Sequence, residues 1–131
     1  MGAVNWLAVL LGTLVFFAVG AVWYGVLFGR AWQRALGQPE RPSGAAAARV
    51  VLLTLVCEFL IVAMLGHLIA RTSPSAHVVL MMGFGFGATI IAPALGLNYL
   101  HQRRPLALFL IDAGHAVVGL LAASAVFIAL G

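Results

Sequence analysis

Asp112 and His115 stand three residues apart in LFLIDAGHAVVGLL, residues 108–121, a run that carries no other ionisable group. Three residues is close to one helical turn, so the carboxylate and the imidazole would share a helix face. That pairing suits proton transfer, with the imidazole titrating nearest neutral pH, or the holding of a small cation. A third ionisable group, Glu58, lies in another apolar run, LVCEFLIVAML at residues 55–65. Glu58, Asp112 and His115 therefore form the candidate proton- or ion-handling set. Metal chelation would use the same three side chains, but a residue pair at this i, i+3 spacing recurs by chance, and neither a metal nor a cofactor is expected. His67, His77 and His101 read as interfacial polar residues.

A structural use competes with this chemistry. A carboxylate inside a membrane costs about 2.5–3.5 kcal/mol, so it needs a partner or a purpose. Pro93 lacks an N–H and frees a backbone carbonyl near Thr89, to which a neutral Glu58 could donate. Asp112 could pair with a snorkelling Arg49, Arg103 or Arg104. Counted along helices at 1.5 Å per residue, Asp112, Glu58, His115 and Pro93 fall at similar depth, roughly 10–15 Å in.

The elements that must position these groups follow from composition. The chain has 131 residues, 64% hydrophobic and 8% charged, where a soluble domain carries about a quarter charged. Lipid must be the main solvent. Four apolar stretches, about 4–29, 46–70, 77–100 and 106–130, each supply the roughly 20 residues that a span needs. The interruptions GQPERPSG (37–44), RTSPS (71–75) and HQRRP (101–105) place Pro39, Pro42, Pro74 and Pro105 between helices, with Pro93 alone inside a span. The fold class is therefore an all-α membrane bundle of four transmembrane helices, one domain over residues 1–131. The N-terminal run lacks a basic leader and is read as a retained first span.

Net charge is +4, and all seven basic residues are arginines placed between or at the ends of apolar runs. That placement argues against nucleic acid as a partner. Arg30, Arg34, Arg41 and Arg49 flank the first connection, Arg103 and Arg104 the third, and Arg71 alone the second. The positive-inside rule puts the first and third connections in the cytoplasm and both termini outside. RAWQRALG (30–37) reads as a short interfacial helix, with Trp32, Ala35 and Leu36 on one side and Arg30, Gln33 and Arg34 on the other. Trp6 reads as an outer interfacial aromatic, and Trp23, Tyr24 and Trp32 as an inner aromatic belt. The single cysteine, Cys57, reads as apolar filler. No nucleophile elbow or phosphate-cradling loop is present, so an enzyme is not expected.

Helices associate in lipid where small residues permit close approach. Such stripes run through Ala18, Ala21, Gly25 and Gly29 in the first span, and Gly85, Thr89, Ala92 and Gly96 in the third, beside a GxxxG at Gly83 and Gly87. In the fourth, Ala116, Gly119 and Ala123 continue the line of Asp112, which predicts that Asp112 faces protein. The second span offers only Ala47, Thr54 and Gly66 near the face of Glu58. Four spans leave little internal room, so a homo-oligomer is expected. Asn98 and Tyr99 are placed to cap carbonyls or to bond Asp112.

The runs NWLAVL (5–10) and GAVWYGVLFGRAWQRALG (20–37) resemble the bacterial membrane family labelled domain of unknown function 1761. The matching features are Asn5, Trp6, Gly20, Trp23, Tyr24, Leu27 to Gly29, Trp32 and Gly37, with IDAG (111–114) similar to a later segment. The resemblance implies a bacterial membrane protein of four spans, in which Trp23, Tyr24, Trp32 and Asp112 belong to a shared design and Glu58 lies outside it; the expected location is the bacterial inner membrane. The resemblance implies no activity. Two functions are therefore expected to compete: proton- or cation-linked movement of a small solute or ion, centred on Asp112, and a non-catalytic structural or accessory role exercised through helix–helix contact.

Overall fold

The computed structural model describes residues 2–37 and 40–131; Pro39, read above as a loop breaker, lies outside them. Helix α1 (Trp6–Val22) starts at Asn5, whose side chain accepts the Ala8 N–H at 3.1 Å and so satisfies one of the donors orphaned at a helix start. It runs into a wider π-helical turn, Trp23–Leu27, before α2 (Gly29–Leu36). The left-handed Gly37 (φ 77°) ends α2, its N–H bonded back to Gln33 O, a conformation that favours glycine. Helix α3 (Gly44–Thr72) is the longest. Helix α4 (Ala76–Gly85) passes through a second π-helical turn, Phe86–Ile91, into α5 (Ala92–His101), and α6 (Leu106–Leu130) ends the chain.

Trp6–Leu27, Gly44–Thr72, Ala76–His101 and Leu106–Leu130 are four helical stretches long and apolar enough to cross a membrane. The chain is an all-α, multi-pass membrane bundle. Both ends of the chain lie at one end of it. Asn5 Nδ2 donates to Leu130 O at 3.3 Å, and Gly2 N to Ala70 O at 3.2 Å.

The last helix is the centre of the bundle. It lies against α1, α2, α4 and α5, whereas α3 leans mainly on α1. Glycines set the close approaches. A methyl at Gly83 would run into the Ser124 hydroxyl and lie 2.9 Å from Leu120 O, and one at Gly87 would lie 2.8 Å from Val117 Cα. Gly119 leaves the space that the Phe16 ring fills. Between α1 and α3 the same device works at the terminal end only: added methyls would lie 3.2 Å from Val62 at Gly12 and 2.9 Å from Val9 at Gly66. Past Glu58 toward the first connection, α3 has no buried residue. The two helices are zipped from Glu58 to the chain ends and splayed below it.

The structure corrects the stripe expected in the first span. Ala18, Ala21 and Gly25 are exposed, and Gly25, like Gly85, meets nothing within 4 Å. The buried line of α1 is instead Ala8, Val9, Gly12, Thr13 and Phe16, because the small partner of Phe16 sits across the interface in α6. Gly29 is buried against the Tyr24 carbonyl and Arg41, and Gly96 is in ordinary contact with Phe109 at 3.5 Å.

Candidate functional site

Four aromatic side chains converge on one turn of α6. Trp23 Nε1 donates to Ile111 O at 2.8 Å. Tyr24 donates its hydroxyl to Asp112 Oδ1, Trp32 Nε1 donates to the same oxygen at 3.1 Å, and the Tyr99 hydroxyl donates to Oδ2 at 2.5 Å. Adjacent residues of the first span thus engage adjacent residues of α6. The π-helical turn that holds Trp23 and Tyr24 narrows the angle between successive side chains, and such turns recur at functional sites. It also leaves carbonyls poorly served within the helix, and Arg41 Nη2 donates to Tyr24 O at 2.6 Å.

One expectation is corrected here and another is added to. Trp23, Tyr24 and Trp32, expected as an inner aromatic belt, are half-buried and turned onto α6; Trp6 remains half exposed, stacked on Phe59 at 6.4 Å. The hydrogen bonds to Asp112 come from three neutral donors instead of Arg49, Arg103 or Arg104. Hydroxyl and indole donors satisfy a carboxylate without bringing a second charge into the bundle.

His115, one turn further along α6, packs against three residues of the first span spaced four apart. Its ring lies 5.3 Å from that of Phe16 and 5.2 Å from that of Tyr24. A methyl at Gly20, between them, would come within 2.9 Å of His115 Nε2. That nitrogen is buried without a hydrogen-bond partner.

Glu58 is 5% exposed, and both of its carboxyl oxygens are buried without a hydrogen-bond partner. The bond expected from Glu58 to a carbonyl freed by Pro93 is not formed. Thr89 and Pro93 are exposed, Thr89 Oγ1 donates to Gly85 O at 2.5 Å, and the helix irregularity is the π-helical turn just before Pro93.

The splay between α1 and α3 leaves a cavity of about 460 Å³. Phe17, Gly20, Ala21 and Tyr24 form one wall; Ala47, Val50, Val51, Thr54 and Glu58 form the other, at helical spacing. His115 and Trp32 also line it, and Arg41 and Pro42 do so near the first connection. Glu58 and His115 therefore share a cavity, while Asp112 sits behind its donors Tyr24 and Trp32. Among the described residues, no three His, Cys, Asp or Glu side chains gather where one metal ion could be held.

A family described as a protein of unknown function, DUF1761, matches residues 7–128. The chain belongs to the DUF1761 family. No curated protein and no solved structure matches it. The matched stretch takes in Trp23, Tyr24, Trp32, Tyr99 and Asp112, and Glu58 and His115 as well.

In this DUF1761 protein the two carboxyl groups have opposite characters. Asp112 has three donors on its two oxygens and joins the first span, α2 and α5 to α6, which makes it a fastening point. Glu58 has unused bonding capacity beside an open space. Sequence reasoning centred on Asp112, because IDAG (111–114) resembled the family's segment and Glu58 lay outside its pattern. It also passed over Arg41 as a cap and Gly20 as the floor under His115. The four-residue steps from Phe16 to Gly20 to Tyr24 were the available signal.

Proposed function

We propose that the protein binds a proton or small cation within the membrane and links it to movement of a small solute or ion, with Glu58 as the exchanging carboxyl. The observation that carries this reading is a buried Glu58 without a hydrogen-bond partner, in the wall of a 460 Å³ cavity. A carboxyl at that depth is costly to keep unless it is used. His115 adds a second exchangeable site in the same cavity, and Asp112 holds the part of the cavity wall made by Tyr24 and Trp32. This moves the centre of the proposed chemistry from Asp112 to Glu58.

The arginine bias supports an orientation with the first and third connections in the cytoplasm and both termini outside, in a bacterial inner membrane. Assembly with further copies of the chain belongs to the same proposal. The exposed Ala18 and Gly25 of the first span support it, and also favour the second reading, an accessory protein that works through helix contact.

Proteoliposomes with an internal pH dye, challenged with proton and alkali-cation gradients, test the reading. Wild-type protein is expected to pass ions above the protein-free leak, and Glu58→Gln to lose that flux while melting as wild type does. Equal flux in Glu58→Gln, or none in either, removes the reading and leaves the accessory role.

A further inference from the structure

We infer that the cavity between α1 and α3 is a binding site for an organic cation with an apolar body, its positive head held by Glu58. The inference rests on the proposed role of Glu58 and names the substrate class for it.

Size is the first ground. A bare ion needs a few oxygen ligands and little space, whereas about 460 Å³ falls in the range of pockets for small organic ligands, about 300–1,000 Å³. Ala47 and Glu58 lie eleven positions apart on one face of α3, so the wall is roughly 16 Å long.

Lining is the second. Phe17, Ala21, Val50 and Val51 are apolar, and Tyr24 and Trp32 add aromatic rings, which attract cations over their faces. Among the described residues, Glu58 is the only acidic one lining it, buried at the end where α1 and α3 close together, and its oxygens lack partners. The ligand that completes this site carries one positive charge and is otherwise greasy. The cationic group of Arg41 lies at the other end, with Nη2 on the Tyr24 carbonyl. A ligand with its head at Glu58 and its body along Val50 and Val51 keeps the two positive charges apart.

Access is the third. Val50 and Val51 are exposed along the flank of the splayed helices, a surface that faces lipid in a single copy. A greasy cation concentrated in the bilayer can enter from the side.

The test uses two probes of matched shape and opposite charge, tetraphenylphosphonium and tetraphenylborate, with purified protein in zwitterionic-lipid nanodiscs and empty nanodiscs as background. The expected result is saturable tetraphenylphosphonium binding near one per chain, with tetraphenylborate unable to compete. Glu58→Gln is expected to weaken binding about tenfold or more, the loss of roughly one ion pair. Val51→Trp, which fills the cavity without touching the carboxyl, is expected to weaken it similarly. Non-saturable uptake, equal competition by the borate, or unchanged affinity in a folded Glu58→Gln overturns the inference; if that variant does not fold, unchanged affinity in Val51→Trp does so. Proton flux that needs Glu58, without phosphonium binding, removes the inference and leaves the proposed function standing. Phosphonium binding that needs Glu58, without ion flux, supports the site and removes the coupling.

Discussion

The indole N–H of Trp32 reaches Oδ1 of Asp112 at 3.1 Å, joining the short helix outside the first span to the second turn of the last one. An amphipathic helix with arginines on one side would otherwise rest on the membrane surface alone. Trp32→Phe keeps the ring and removes the donor. A single hydrogen bond contributes about 0.5–1.5 kcal/mol. The expected outcome is faster hydrogen exchange in residues 30–36, by about two- to tenfold, with the spans unchanged. Equal protection in the variant would show that packing alone docks this helix.

Asp112 accepts from three side chains of three different elements, so its removal should loosen all of them at once. Hydrogen bonds between membrane helices average about 0.6 kcal/mol each, and losing three gives a destabilisation of about 2 kcal/mol for Asp112→Ala. Asp112→Asn keeps one good acceptor and should lose less. Arg103→Ala and Arg104→Ala should leave stability unchanged, because neither donates to this carboxyl. Unfolding in mixed micelles, followed by the fluorescence of Trp23 and Trp32, measures the series. The opposite ranking would restore an arginine partner for Asp112.

Gly83 and Gly25 should respond in opposite ways to the same substitution. A methyl at Gly83 meets Ser124 and the backbone of α6, while the space at Gly25 is open. Gly83→Val is expected to cost about 1–3 kcal/mol or more through overpacking. Gly25→Val should be neutral or slightly stabilising in a single copy, since glycine is a poor helix former. If Gly25→Val instead lowers the assembly state by cross-linking or light scattering, that face is the contact between copies.

His115→Phe should preserve the fold. The ring sits between Phe16 and Tyr24, and its buried Nε2 has no partner, so an apolar ring of similar shape removes an unsatisfied group worth about 1–3 kcal/mol. The expected result is equal or higher thermal stability with altered ion flux. A destabilised variant would mean that His115 carries a bond to water or to a ligand.

Much of the bundle was legible from apolar runs and their proline-rich breaks, because span length is fixed by the bilayer and not by partner choice. The inward face of α6 could be read from Asp112, Ala116, Gly119 and Ala123, a small-residue line long enough to stand out. The matching face of α1 could not. There Phe16 and Val9 face inward because Gly119 and Gly66 make room for them, and complementarity across an interface leaves no mark within one segment. The roles of Glu58 and Asp112 were equally hidden. Each is a lone acid in a greasy run, and what separates them is where Tyr24, Trp32 and Tyr99 point. Those directions depend on the two widened turns, which no propensity pattern announces.

The turn at Phe86–Ile91 holds one residue more than ordinary winding would need. Wound regularly with every residue kept, the chain beyond it would be rotated by about 100°, and the phenol of Tyr99 would swing off Asp112. A DUF1761 chain shortened by one position here would recover the same aim by losing the swelling instead. Single-residue gaps between family members in this segment are therefore compatible with an unchanged grip on the aspartate, whereas gaps between Ala92 and Tyr99 are not.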